Sequence, residues 1–147
     1  MGHTPILGPV AKESSSGLML EGGQESPLWQ ALKKHKVDLY LCGEVHAITC
    51  TPADGVLQIA HGGLFGYNAK VNYLVATVRG DKIDLELKEL AIVNEGDRLL
   101  QVGNNRPHER VSITDEAKKK GFVTVGTATL DTAGGSQVLK DATGCFK

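Results

Sequence analysis

Apolar and polar residues alternate along several short segments of the chain, and this two-residue period predicts strands. The clearest case is 82–88, where Ile83, Leu85 and Leu87 stand between charged residues, as in a strand with one wet face. The segment 71–78 is rich in β-branched residues, and 47–51 and 56–60 are short apolar runs. We therefore expect four strands here, with a tight turn at 80–81 and turn residues over 52–55.

Residues 26–36 carry the three-to-four-residue spacing of an amphipathic helix. Ser26 suits the N-cap and Pro27 the first helical position. The residues expected on the apolar face, with Trp29 beside it, are Leu28, Ala31, Leu32 and His35. The apolar run 37–43 follows at once and predicts a buried central strand. We expect 37–90 to form a single meander of adjacent strands.

The two ends of the chain have weaker patterns. Residues 1–25 read as a long loop, and loops of this length are commonly functional or disordered. In the tail, 115–120 predicts a short helix capped by Thr114, and 122–130 with 137–140 predicts a hairpin. A weak boundary near 92–108 divides the chain into residues 1–92 and a β-rich extension, residues 93–147, packed on them.

Composition excludes several classes of protein. The 147 residues have a net charge of −1, and their two lysine runs, 33–36 and 118–120, are not interleaved with aromatics, so no nucleic-acid surface is indicated. Three cysteines without regular spacing favour a reducing compartment over a disulfide framework. The sequence contains neither an apolar run of membrane-spanning length nor a signal-peptide pattern at its start. We therefore expect a cytoplasmic protein without a membrane partner.

The strongest candidate for chemistry is Gly43-Glu44-Val45-His46, which comes directly after the apolar run. Ligands in α/β sheets sit at the carboxyl ends of strands. Gly43 permits an abrupt change of direction, so that Glu44 and His46 can point into one cleft. A carboxylate and an imidazole suit Zn, Mn or Fe ions. Taken alone, however, such a pair is more often two polar surface residues.

A second candidate is His61, beside Gly62 and Gly63. Its imidazole could contact a phosphate, although a hydrogen-bonded loop histidine is the commoner finding. The glycines do not form a P-loop, because the Gly-Lys-Ser/Thr ending is absent. The sequence contains no credible Ser-His-Asp or Cys-His triad.

The order of the motifs resembles one family. The chain contains, in this order, Gly2-His3-Thr4-Pro5, a helix, an apolar strand running into Gly43-Glu44-Val45-His46, and a strand pair ending in Gly62-Gly63. This order is similar to the second half of calcineurin-like metallophosphoesterases. The likeness covers about residues 2–90. The expected fold is α/β with a predominantly β core: part of a two-sheet sandwich flanked by helix, with extra strands in the tail.

The resemblance implies a hydrolase that acts on phosphate mono- or diesters with divalent Mn, Fe or Zn ions. His3 would match the family's ligand to the second metal. Glu44 stands where the family has another histidine ligand to that metal, and His46 would match a ligand to the first metal. The carboxylate of Glu44 adds negative charge and favours a different metal or a weaker site.

The family's earlier motifs, Asp-x-His, Gly-Asp-x-x-Asp and Gly-Asn-His-Asp/Glu, have no counterpart in this chain. We therefore expect a truncated or divergent phosphatase that is weakly active or inactive alone. A homo-oligomer or a complementary upstream chain is the expected partner, because missing strands would leave an apolar sheet edge to cover. The alternative is a non-catalytic β-rich domain that uses the same scaffold for self-association or partner binding.

Overall fold

Strands outnumber helices among the residues that the structure describes. A computed structural model describes residues 1–10, 17–45, 47–62, 70–91, 93–94, 111–133 and 138–146. The helices are α1 (Pro27–Lys34), α2 (Asp115–Lys120) and a 3-10 turn (Gly23–Glu25). The strands are β1 (Leu39–Cys42), β2 (Thr49–Ala53), β3 (Val56–Ala60), β4 (Lys70–Arg79), β5 (Lys82–Ala91), β6 (Val93–Asn94), β7 (Val111–Ser112), β8 (Val123–Asp131) and β9 (Val138–Asp141). Two main sheets and few helices confirm the expected β-rich class.

None of the helices in the described segments has the length and apolar character that a membrane crossing requires.

The first sheet has the order β1-β3-β2. β1 and β3 run parallel, with Leu39 opposite Leu57, whereas β2 and β3 are antiparallel. Asp54 and Gly55 form the two-residue turn between β2 and β3, with φ angles of 51° and 78°. Positive φ at both positions matches the twist of a hairpin. The turn is shorter than expected, because residues 52 and 53 lie in β2.

The expected meander over 37–90 is wrong, and so is the central position expected for 37–43. β3 lies between β1 and β2, while β4 and β5 belong to the other sheet. The physical reason is burial. All five residues of β3 are buried, whereas β1 alternates between buried and half-buried positions and lies at the end of the sheet order. A strand that is apolar on both faces takes the position that both layers cover.

β3 joins two hydrophobic clusters. Leu57 and Ile59 belong to the cluster shared with the second sheet. Val56 and Ala60 belong to the cluster that contains Trp29 of α1 and the N-terminal segment. Three layers result: the second sheet, the first sheet, and a cover formed by α1 with residues 5–7.

The second sheet is antiparallel throughout, with the order β4-β5-β8-β9. Ile83, Leu85 and Leu87 of β5 are buried, which confirms the alternation predicted for 82–88. β8 and β9 follow residue 93 and pair in the same sheet as β4 and β5, which precede it. Most of the predicted boundary at 92–108, and most of the glycine-rich turn between β8 and β9, lie outside the described residues.

Both helix caps are as expected. The Ser26 hydroxyl accepts from Trp29 N, and that of Thr114 accepts from Ala117 N. The expected apolar face of α1 holds for Leu32, which packs against the core, but Trp29 is the buried residue while Ala31 and His35 are exposed. The cause is a tertiary contact, since the Trp29 indole Nε1 donates to Asp54 in the β2–β3 turn at 3.0 Å.

Candidate functional site

The parallel pairing of β1 and β3 brings their carboxyl ends to the same edge of the first sheet. Glu44 follows β1 and His61 follows β3. His61 N donates to Cys42 O at 2.8 Å, which extends the pairing to the edge itself. Glu44 therefore lies directly after the end of an apolar strand, where the sequence predicts it.

The N-terminal segment runs alongside β1 and brings His3 to this edge. Gly2 N donates to Leu41 O at 2.9 Å, and Gly43 N donates to His3 O at 2.8 Å. The Tyr40 hydroxyl donates to Thr4 O at 3.1 Å. A Cβ at residue 2 would lie 2.1 Å from the Tyr40 hydroxyl oxygen, so a larger residue there would force the tyrosine or the segment to shift.

His3 and Glu44 are in direct contact although 41 residues separate them. His3 Nε2 donates to Glu44 Oε2 at 3.0 Å. The histidine side chain is 75% exposed and the glutamate side chain 15% exposed, so the carboxylate is sheltered and the imidazole faces solvent. A contact with one partner open to water contributes little to stability.

The backbone at this edge is strained at Glu44, whose φ is 69°. A side chain in the left-handed region costs about 1 kcal/mol or more, and strained residues of this kind concentrate at functional sites. We assigned the change of direction to Gly43, and this assignment is wrong. An added Cβ at Gly43 would have its nearest neighbours at 3.6 Å, so glycine is not required there.

The separation of the His3 and Glu44 donors can be compared with that of two ligands to one metal ion. Metal bonds to imidazole nitrogen and carboxylate oxygen are about 2.1 Å long, so two such bonds put their donor atoms about 3 Å apart at a right angle and about 3.4 Å apart at a tetrahedral angle. The observed separation of 3.0 Å is close to the first value, but it is also the ordinary length of the hydrogen bond that joins the two side chains.

Two donors do not complete a coordination shell, which takes four ligands for zinc. The structure brings together His3 and Glu44 of the three predicted ligands, and His46 lies outside the described residues. Within the parts of the chain that are described, no cluster of three or more His, Cys, Asp or Glu side chains could hold a metal. The described residues thus bring two candidate donors together, short of a complete metal site.

His61 lies at the same edge with an unusual environment. Its Nε2 is buried and has no hydrogen-bond partner among the described residues, while the Asn72 side chain hydrogen-bonds the ring. Burial lowers the pKa of His61, so the imidazole is neutral at pH 7. Its predicted contact with a phosphate stays a prediction, and Gly63 beside it lies outside the described residues.

Two of the cysteines are poor nucleophiles. Burial raises the pKa of Cys42 to about 12 and, with a contribution from Asp141, that of Cys50 to about 12. Both remain neutral thiols at pH 7, whereas thiolates are the nucleophilic and metal-binding form.

The sequence reasoning missed Gln58, a fully buried side chain whose amide bonds the backbone of residues 6 and 7. A signal was present, since Gln58 is the one polar residue in the apolar run 56–60. Tyr40 was missed as well, because its contact with Thr4 follows from the path of the N-terminal segment and not from local pattern.

Comparisons of the chain with protein-family models, with curated proteins and with solved structures found no match. The resemblance to calcineurin-like metallophosphoesterases therefore stays a prediction that rests on the ordered motifs.

Proposed function

We propose that this chain belongs to a metal-dependent phosphoesterase of the calcineurin-like type and supplies part of its metal centre. The observation that carries the proposal is the contact between His3 and Glu44. These two residues come from the two motifs on which the resemblance rests. The two-sheet core with α1 on the outer side of the first sheet is compatible with the partial sandwich expected for that family.

His3 and Glu44 would hold one divalent ion, Mn, Fe or Zn, and His46 is the predicted ligand of another. Bound metal ions neutralise phosphate charge and lower the pKa of a bound water. The residues of the chain do the rest: Glu44 keeps its carboxylate sheltered, and His3 holds Nε2 against that carboxylate on a side chain that is mostly exposed. Because Nε2 must lose its proton to bind a metal, affinity should rise with pH.

A two-donor site binds metal weakly and leaves the ion open to water. We propose that further ligands come from a partner, either a second copy or a complementary chain that carries the missing motifs. The chain alone should therefore hydrolyse phosphodiesters slowly, at a rate above the metal-free background. The substrates are phosphate mono- or diesters.

The test uses the full chain without a histidine tag, dialysed against Mn²⁺ or Zn²⁺ and analysed for bound metal. The same samples are assayed with a chromogenic phosphodiester. His3→Ala should lose the bound metal and the metal-dependent rate. His35→Ala is the matched control, because His35 is an exposed histidine at the end of α1.

Wild-type protein that retains no metal, with no metal-dependent rate, would contradict the proposal. The non-catalytic binding or self-association domain would then be the better hypothesis. Equal loss in His3→Ala and His35→Ala would also contradict it, because the effect would then not depend on the site.

A further inference from the structure

The strands at the two ends of each main sheet differ in how their outer edges are protected. An open strand edge pairs readily with another chain, and proteins prevent this by covering the edge, by keeping the strand short, or with proline or charge. Residues 2 and 3 cover the edge of β1 through bonds to Leu41 and Gly43. β2 contains Pro52, and β9 has four residues. Three of the four terminal strands are therefore protected.

The fourth terminal strand, β4, has no comparable protection in the part of the chain that the structure describes. It is ten residues long, whereas strands of about five or six residues are the commonest. Its charged residues, Lys70 and Arg79, lie at its two ends, and 71–78 contains neither a charged residue nor a proline. An uncharged segment rich in β-branched residues is the kind that pairs most readily with another strand.

The turn at Gly80 and Asp81 determines which backbone groups of β4 face outward. In a hairpin with a two-residue turn, the flanking residues, here Arg79 and Lys82, form a hydrogen-bonded pair. Bonding alternates along an antiparallel pair, so the odd-numbered residues of β4 bond to β5. The N–H and C=O groups of the even-numbered residues point away from β5, and no bond within the described residues engages them there. These residues are Asn72, Leu74, Ala76 and Val78.

The apolar side chains near one end of β4 are exposed as well. Val78 lies opposite Ile83, and Ala76 lies opposite Leu85. Directly opposite residues of an antiparallel pair point to the same face of the sheet. On that face the two residues of β5 are buried, whereas Val78 is 70% exposed and Ala76 is exposed. A strand added beyond β4 would thus cover both unpaired backbone groups and apolar side chains.

We propose that the edge of β4 is a self-association surface, where β4 of a second copy of this chain pairs antiparallel and joins the second sheets of the two copies into one. A second copy fits because it brings the same unpaired edge, so a single two-fold contact satisfies both. A partner selected by charge is not favoured, since 71–78 presents no charge to it. This inference goes beyond the proposed function and needs no bound metal.

The register follows from the outward-facing groups. Pairing centred on Val75 places Leu74 opposite Ala76 of the second copy and Asn72 opposite its Val78, so the four outward-facing residues bond to one another. In this register Arg79 falls opposite residue 71, and no two charged residues of β4 face each other. Like charges directly opposite would oppose pairing, and the register avoids them.

The experiment is sedimentation velocity of the full chain between about 1 μM and about 1 mM, which covers weak to moderate affinities. The wild type should form a reversible dimer. Val78→Lys puts a charge on the edge and should raise the dissociation constant about tenfold or more, because two-fold symmetry places the change in the interface twice. Val123→Lys is the matched control, since Val123 is an exposed valine of β8, which lies between β5 and β9. It should dimerise as the wild type does.

Amide hydrogen exchange locates the contact within β4. Exchange at Leu74 and Ala76 should slow as the concentration of the wild type rises, because these N–H groups become paired in the dimer. Exchange at Tyr73 and Val75, whose amides bond to β5 in each copy, should depend much less on concentration. Slowing that is equal at all four positions would contradict pairing through this edge.

A wild-type chain that stays monomeric up to about 1 mM would overturn the proposal, and a strand of a different protein would then be the better candidate for this edge. Equal effects of Val78→Lys and Val123→Lys would overturn it too, because the contact would lie elsewhere. If circular dichroism shows that Val78→Lys does not fold, Ala76→Pro takes its place, since that N–H points away from β5 and its loss spares the β4–β5 pair. Undiminished dimerisation of folded Ala76→Pro would contradict the proposal. None of these outcomes bears on the metal site.

Discussion

The β4–β5 pair of the second sheet and the β1–β3 pair of the first sheet are held in register in different ways. In the second sheet, β4 and β5 are joined by a tight turn and pair along ten residues, from Lys70↔Ala91 to Arg79↔Lys82. Its outer face carries polar pairs such as Lys88 with Thr124 and Asp84 with Thr129. In the first sheet, β1 pairs in parallel with β3, 18 residues further along the chain, since Leu39 lies opposite Leu57.

The candidate site lies at the end of the β1–β3 pair, whose register no neighbouring turn fixes. His3 and Glu44 meet across 41 residues, beside a strained backbone at Glu44, and the buried amide of Gln58 bonds the segment that carries His3. In the second sheet a tight turn fixes the register of β4 with β5, although β5 also pairs with β8, 34 to 49 residues further along the chain. The parallel β1–β3 pair therefore brings together residues that local pattern does not connect.

The sharpest test of the first sheet's dependence on long-range contacts is Trp29→Ala. Trp29 is fully buried and anchors the cover of that sheet to the Asp54 turn. Its removal should lower the free energy of unfolding by about 3–5 kcal/mol, measured by urea denaturation. Leu28→Ala, at a neighbouring and more exposed position, should change it by less than about 0.5 kcal/mol. Similar effects from the two variants would contradict the anchoring role.

Two glycines in the same region should respond differently to alanine. Gly2→Ala puts a methyl group against the Tyr40 hydroxyl and should lower the free energy of unfolding by about 1–3 kcal/mol. It should also weaken Mn²⁺ binding, because His3 is displaced. In Gly43→Ala the added Cβ would have its nearest atoms at 3.6 Å, so neither the free energy of unfolding nor Mn²⁺ binding should change. Denaturation and Mn²⁺ titration of both variants check this, and a severe defect in Gly43→Ala would show that the close approach is wrongly located.

Backbone strain at Glu44 can be separated from the loss of its side chain. Glu44→Gly and Glu44→Ala both remove the carboxylate and should both lose metal binding. Glycine accepts the φ of 69° and alanine does not, so the glycine variant should be more stable by about 1 kcal/mol. Thermal or urea unfolding gives this difference. An alanine variant that equals or exceeds the glycine variant would mean that the strain is absent.

The smallest expected effect is a pH dependence from His61. Burial lowers its pKa in the folded protein below the ordinary value of 6.5. Below pH 6.5 the unfolded chain therefore binds more protons, and stability falls as the pH drops through this value toward the folded pKa. His61→Gln should show a flatter curve of unfolding free energy between pH 7 and pH 5. A curve parallel to that of the wild type would exclude His61 as a cause.

The difference between local and long-range contacts also explains which features the sequence could predict. The span of β3, the alternation of β5 and the caps at Ser26 and Thr114 follow from local pattern, and the structure agrees with them. The strand order of the first sheet and the buried face of α1 depend on partners far along the chain. Trp29 is buried because its indole donates a hydrogen bond to Asp54, and helical periodicity does not reveal this contact.

The candidate site likewise has features that follow from local pattern and features that depend on distant parts of the chain. The strand end that presents Glu44 was predictable from an apolar run followed by polar residues. The contact with His3 was expected only from the order of the motifs, and the amide of Gln58 that holds the segment was not foreseen. Left-handed backbone at Glu44 could not be read from residue type, because glutamate rarely adopts it.

A double-mutant cycle on metal binding tests the central claim most directly. Mn²⁺ affinity is measured for the wild type, His3→Ala, Glu44→Ala and the double variant at constant pH. If both side chains bind one ion, each single variant should lose most of the affinity and the double variant little more. Additive losses would place the two residues at separate sites, and unchanged affinity in either single variant would contradict the shared metal site.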